Sequence, residues 1–411
     1  MADDDGSCGD RARLKALNLF ENSSLGASAL FVPILANALT GSYMLVGVIA
    51  AGYGVAQALS YAYFGRLADR YGKMGRFVRF GFLASSIAFF AHVLAYDGLT
   101  LMLVRLAAGV ATGVYAGAMI ALSHDRTNNG KLAGIVSFGS LGWLVGTIGA
   151  GVMQQLTSSY TFVFLLAGSI FLAGFMVSLG LNRVEAGKKG KDGTSHANAS
   201  STSLLHVARK NGRVYASFML RHVGAAATWS IFPIFLNQEL RLNGIELGSV
   251  YALNALTQFV FMNTVMKRIG SSVDMNLFIQ AGVLLSSVVF LAYYASSTYV
   301  HIIPAQILLG IAWSMLYLGS LYILLNRSSD GERASSTALL ESAMSISIII
   351  GSLVGGVMAE LAGLRAVMLL SSLLCLASFL VALNWRGLTG LRNGVGYISA
   401  RYSMMVKRLR I

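Results

Sequence analysis

The sequence predicts an all-α integral membrane protein with twelve transmembrane helices in two pseudo-symmetric six-helix bundles. Three observations carry this. The 411 residues are 55% hydrophobic and only 12% charged, with a mean hydropathy of +0.66, whereas a soluble domain carries roughly 25% charged residues. Apolar runs of about 20 residues, the length that crosses a bilayer core as a helix, recur along the whole chain. The second half also repeats the pattern of the first at a spacing near 200 residues.

In chain order the apolar segments lie near 15–37, 43–64, 77–96, 99–122, 132–153, 160–182, 214–238, 246–266, 275–296, 299–325, 336–359 and 364–385. The first follows "MADDDGSCGDRARLK", a polar stretch of mixed charge. That stretch lacks the short apolar core of a cleaved signal, so the first segment is expected to stay as an anchor. It carries Glu21 and Asn22; the second carries Gln57, the third His92, and the fourth Arg105 with a glycine ladder at Gly109, Gly113 and Gly117. The fifth holds Trp143, the seventh Arg221, His222 and Trp229, the eighth Gln258, the tenth Trp313 and Tyr317, and the eleventh Glu341. The two cysteines, Cys8 in the polar arm and Cys375 in the twelfth segment, do not make a disulfide framework. Glycine is abundant at 45 and proline scarce at 3, and glycine lets membrane helices approach closely.

An even number of spans puts both termini on one side. Lys and Arg choose the side. The N-terminal arm, the even-to-odd connections and the C-terminal tail hold nearly all of the 31 basic residues, while the odd-to-even connections hold only Arg241 and Arg365. Both termini are therefore expected in the cytoplasm. The net charge of +14 follows from this topology and from anionic lipid at the cytoplasmic face, with no nucleic acid required.

The one long polar connection, 183–213, is rich in Gly, Ser and Lys and reads as a flexible basic linker. It separates a first bundle (1–182) from a second (214–385), and a basic tail (386–411) follows, expected to lie on the inner leaflet as a short amphipathic helix. "FVPILAN" (31–37) matches "IFPIFLN" (231–237), aligning Pro33 with Pro233. At a spacing of 201 Gly47 meets Gly248, Gln57 meets Gln258, Gly81 meets Gly282 and Gly109 meets Gly310, and "GTIGAGVM" (146–153) later meets "GSLVGGVM" (351–358). A register held over four segments indicates a duplication in the same orientation, a pattern that characterises one transporter architecture.

Between the second and third segments stands "GRLADRYGKMGR" (65–76). It closely resembles the signature loop of the major facilitator superfamily: a Gly, an Asp four residues on, a Gly three later, then basic residues. Gly65, Asp69, Gly72, Lys73 and Arg76 fit the pattern, and Arg70 lies within it. Arg105 with Gly109 resembles the family's motif in its fourth helix. "GTIGAG" is similar to its glycine-rich antiporter motif, but Thr147 stands for the proline and Ala150 for one glycine. The resemblance covers the chain by topology, is specific at the loop, and reaches no named subfamily. It implies that this loop gates the transporter, with Asp69 latching onto the start of the eleventh segment, where an acid favours a helix N-terminus. It also implies a part for Arg105 in proton coupling, which capping of carbonyls would replace.

Charges inside a membrane are costly and are functional candidates. Glu21 and Arg221 occupy matching positions in the first and seventh segments, and Glu341 lies at a similar depth, roughly 9 Å in from the cytoplasmic boundary at 1.5 Å per residue. An acid facing a base across a pseudo-two-fold axis makes either a state-dependent pair or a permanent structural one. Asn22 and His222 are the next matched pair. Gln57 and Gln258 either line a cavity or join helices by hydrogen bonds. His92 is assigned to packing, and Trp143, Trp229, Trp313, Tyr53 and Tyr317 either shape an aromatic pocket or pack.

No nucleotide, metal or catalytic motif stands out, so neither an enzyme nor a cofactor is expected. The expected function is transport of a small molecule by alternating access, as proton-coupled efflux of a fairly apolar compound by a monomer in the plasma membrane. The alternatives are a metabolite uniporter or symporter, and a non-transporting sensor on the same fold.

Overall fold

The computed structural model describes residues 2–71, 73–125, 129–181, 204–269, 274–328 and 333–383, and all regular structure among them is helical. The first bundle comprises α1 (Ala2–Thr40), α2 (Tyr43–Tyr71), α3 (Met74–Phe90, followed by a 3-10 turn Ala91–Leu94), α4 (Gly98–Asp125), α5 (Asn129–Thr157) and α6 (Tyr160–Leu179). A short helix α7 (Leu204–Lys210) precedes the second: α8 (Gly212–Gln238), α9 (Gly244–Ile269), α10 (Met275–Ala295), α11 (Tyr299–Arg327), α12 (Arg333–Ala362) and α13 (Leu364–Ala382). Eleven of these helices are long and apolar enough to cross a membrane, and α5 packs among them. Large apolar side chains such as Leu59, Phe80, Ile87 and Leu373 stand exposed on the outer faces, as hydrocarbon rather than water requires.

All twelve expected segments form helices, but several helices run further than the apolar runs. Gly65, Asp69 and Arg70 belong to the last turns of α2 rather than to a loop, Lys73 is the N-cap of α3, and Arg76 lies in its first turn. Hydropathy marks the membrane and not the helix, whose backbone bonds continue into polar sequence. Gly72 and the side chain of Asp69 lie outside the described residues, as do most of the linker and the basic tail. The end of the expected linker is helical, in α7 and the start of α8.

Side-chain-free contacts hold each bundle, and they repeat in the register seen in the sequence. Gly109 of α4 lies against the backbone of Tyr53 in α2, and Gly310 of α11 against that of Asn254 in α9, both pairs 201 residues apart. Gly81 sits on Tyr115 and Gly282 on Leu316. Gly146 of α5 rests on the Ser23 carbonyl of α1 as Gly351 of α12 rests on that of Val223 in α8. Gly113 on Gln57 and Ser60, and Gly117 on Gly65, make the glycine ladder a close-packed face. Serines add polar links: Ser86 Oγ donates to the Gly168 carbonyl at 2.9 Å and Ser287 Oγ to that of Ser372 at 2.9 Å. Small residues and interhelical hydroxyls replace the hydrophobic effect as glue between helices in lipid.

Arginines close helix ends. Arg79 Nε and Nη2 donate to the Ser178 and Leu181 carbonyls at the end of α6, at 3.2 and 2.5 Å. Arg365, expected in an odd-to-even connection, lies in the first turn of α13, pairs with Glu239 at 2.7 Å and donates to the Tyr294 and Ser296 carbonyls at the end of α10. A cation suits a helix C-terminus.

Candidate substrate cavity

The bundles meet along α5 with α9 and α2 with α12. Glycine contacts bring them close on the side opposite the start of α1, here the far side. Gly356 packs on Tyr43 and Gly47, while Gly151 packs on Gly244 and Gly248, the same contact in the repeat register. Polar bonds reinforce this seal. Ser42 Oγ and the Met44 N–H donate to Glu360 Oε2 at 3.1 and 3.2 Å, Tyr43 Oη donates to Gln238 Oε1 at 3.1 Å, and the Gly244 N–H to Gln155 Oε1 at 3.2 Å. These four hydrogen bonds join the two bundles on this side. A recess of about 270 Å³ outside the seal is lined by Gln154, Gln155, Asn237 and Asn243.

Behind the seal lies a cavity of about 610 Å³, walled by α1, α2, α4 and α5 from one bundle and α8, α9, α11 and α12 from the other. That volume is in the usual range of about 300–1,000 Å³ for small-molecule sites. Trp143, Trp229, Trp313, Tyr53, Tyr251 and Tyr317 form its aromatic wall, and Asn18, Asn22, Asn254 and Gln258 supply amides. Its only charged lining groups among the described residues are Arg105 and Arg221, with His222 beside the latter.

Five sequence candidates therefore line the cavity: Asn22, Arg105, Arg221, His222 and Gln258. Asn22 Nδ2 donates to Asn18 Oδ1 at 2.7 Å, and Gln258 Nε2 to Asn254 Oδ1 at 2.7 Å. The His222 ring lies between Phe218 and Trp313, 5.6 and 5.3 Å from their centroids. Glu21, Gln57 and Glu341 stand behind the wall. Gln57 donates to Thr112 of α4 at 3.2 Å, the interhelical bond that was one of its two readings. Glu341 accepts from Tyr317 Oη at 3.1 Å, whereas Glu21 faces Tyr115 on α4, whose buried hydroxyl has no hydrogen-bond partner among the described residues. His92 is buried, with Nδ1 3.0 Å from the Ala88 carbonyl and its ring stacked on Phe164, a packing role.

The pairing of Glu21 with Arg221, expected as state-dependent or permanent, is not made in this conformation. They are similarly placed along their helices but do not form an ion pair. Arg221 turns into its own bundle, donating from Nε to Ser286 Oγ at 3.0 Å and lying 5.3 Å from the Trp313 ring centroid. Glu21 turns toward α4, where Tyr115 is. Equal position along two helices fixes depth but not azimuth, and a long arginine takes the nearest acceptor. Sequence reasoning also missed Tyr251 and Asn254. The available signal was that Asn254 precedes Gln258 by one helical turn and falls 201 residues after Tyr53.

The mutant nucleoside transporter NupG superposes with a TM-score of 0.75 at 14% identity, over 90% of this chain and 98% of its own. A bacterial homologue of the human lysosomal transporter Spinster, inward-facing and unoccupied, gives 0.70 at 14% identity over 92% and 97%. The peptide transporter POT in complex with sulfate gives 0.69 at 12% identity over 90% and 92%. At these identities the likeness is one of fold. No curated protein matches the sequence. The family model of the Major Facilitator Superfamily matches residues 17–277 and 214–394, so that nearly the whole chain is covered. The duplicated six-helix bundles, the cavity between them and this match agree: the chain belongs to the Major Facilitator Superfamily.

Proposed function

We propose that this chain is a secondary active transporter that moves a small, fairly apolar molecule by alternating access, with outward transport coupled to protons. The observation that carries the reading is a cavity of about 610 Å³ between two bundles whose contacts close one side of it. Rocking of the bundles about such a site exposes it to each side in turn. With both termini, the 183–213 linker and the 386–411 tail in the cytoplasm of a plasma-membrane monomer, as the Lys/Arg bias supports, the seal is extracellular and the conformation faces inward. Asp69, near the end of α2, then latches the α12 start when the cavity closes to the cytoplasm.

Proton coupling needs a carboxyl that can exchange protons as the bundles move. Glu21 and Glu341, each behind a tyrosine, are the candidates. In proteoliposomes, efflux should be stimulated by an inward proton gradient, and Glu21→Gln should flatten that pH dependence while leaving exchange at equal pH in place. Full gradient stimulation in Glu21→Gln removes this carboxyl from the mechanism and passes the role to Glu341.

A second reading, symport or uniport of a metabolite, is favoured by the departure in α5. Thr147 stands where the antiporter motif has proline, and its hydroxyl donates to the Trp143 carbonyl at 2.8 Å within an unbroken helix. Flux that ignores a pH gradient would select uniport, and no flux in either direction would leave the sensor.

A further inference from the structure

Resting on the transport reading, we infer that the ligand of the central cavity is an organic anion: an aromatic or similarly flat apolar body carrying a carboxylate, sulfonate or phosphate group. The observation is the pair of arginines. Arg105 is 9% exposed and Arg221 2%, they come from opposite bundles, and both line the one cavity. Neither forms an ion pair with a described residue. The Arg105 guanidinium carbon lies 3.9 Å from the centroid of the Tyr53 ring, and its Nε is buried with no hydrogen-bond partner. Arg221 spends Nε on Ser286, and its terminal nitrogens make no bond to a described residue.

No carboxylate or lysine is among the described residues that line the cavity. The nearest acids by position, Glu21 and Glu341, are turned to Tyr115 and Tyr317. A buried cation with no counter-charge is among the more costly features a membrane protein can keep. A guanidinium offers five N–H donors in a fork that matches the oxygens of a carboxylate or phosphate. Two forks in one aromatic chamber, each held by a ring (Tyr53 or Trp313), provide the charge and leave the apolar wall for the body of the ligand. The neutral lining amides Asn18, Asn22, Asn254 and Gln258 bear hydrogen bonds to either donors or acceptors. Lys15, whose Nζ lies 5.3 Å from the Phe138 centroid on the linker side of α1, adds positive potential on the approach.

The test uses matched naphthalenes, with quenching of Trp143, Trp229 and Trp313 fluorescence in the purified full chain as the readout. 2-Naphthoate and 2-naphthyl phosphate should bind at least tenfold more tightly than 2-naphthamide or 2-naphthylmethylamine, and whichever anion binds tighter names the head group. Arg105→Gln and Arg221→Gln should each weaken the anions at least tenfold without weakening the amide. Arg105→Lys, which keeps the charge but loses the fork, should recover part of the loss. Equal binding of amide and naphthoate overturns the inference even if a variant fails to fold, because that comparison needs only the unaltered chain. Absence of anion binding at millimolar concentration also overturns it. Counterflow in proteoliposomes separates the two claims. Selective anion binding without counterflow defeats transport and keeps the anion site. Counterflow of the amide with no preference for the anion does the reverse.

Discussion

Gly356→Val is expected to open the cavity to the far side of the membrane. The Gly356 Cα lies against Tyr43 and Gly47, so a side chain there meets the backbone of α2, which cannot turn aside. Overpacking of this kind costs roughly 1–3 kcal/mol, and here the cost falls only on the conformation in which α2 and α12 touch. At about 1.4 kcal/mol per tenfold, the equilibrium should move roughly five- to hundredfold toward the far-side-open state. The readout is a cysteine at Ser352, a lining residue immediately behind the seal, in a background with Cys8 and Cys375 replaced. A membrane-impermeant thiol reagent applied from the far side should label Ser352→Cys slowly when Gly356 is intact and at least tenfold faster with Gly356→Val. Gly151→Val, at the matching contact with Gly244 and Gly248, should act in the same direction. An unchanged labelling rate in both would mean that these glycines do not form the gate.

Gly146→Leu should prevent the first bundle from folding, and Gly351→Leu the second. A Cβ at either position overlaps a backbone carbonyl, of Ser23 and Val223 respectively. This contact lies inside a bundle, so no rocking motion relieves it, and the cost should reach or exceed the upper end of the ~1–3 kcal/mol typical of overpacking. Gly149→Leu is the control, since a Cβ there meets only the Leu166 side chain at 3.6 Å, an ordinary contact. Size-exclusion profiles of the detergent-extracted protein after mild heating should keep a monodisperse peak for Gly149→Leu and lose it for the other two. Survival of Gly146→Leu would show that α1 and α5 can separate at no great cost.

The duplication was legible in the sequence because close helix contacts leave a mark that chance does not. Where a carbonyl of one helix touches the next, only glycine fits, so Gly109 and Gly310 survive at a spacing that also separates their partners, Tyr53 and Asn254. Depth in the membrane was legible too: Arg221 and Arg105 stand out in apolar runs and both reach the cavity. Azimuth was not. Glu21 sits one residue before the lining Asn22 yet turns away toward Tyr115, about 100° around a helix with 3.6 residues per turn. Tyr251 and Asn254 were passed over because tyrosine and asparagine in an apolar helix read first as packing; their lining role depends on which helices α9 faces. Helix ends were misjudged where polar sequence continues the backbone bonding, as at Gly65 to Arg70 in α2.

Alternating access is the central claim, and it concerns both sides of the membrane at once. The most direct test is a pair of electron-spin distance measurements on α2 and α12, which run antiparallel. One pair of nitroxides, at Met44 and Leu361, spans the far-side seal; the other, at Arg66 and Ala338, spans the linker-side ends, and all four positions are exposed. Recorded in nanodiscs between pH 5 and 8, with and without 2-naphthoate, both pairs should show two distances. As the short distance at Met44–Leu361 loses population, the short distance at Arg66–Ala338 should gain it in proportion. A single distance at each pair, unmoved under every condition, would contradict the account.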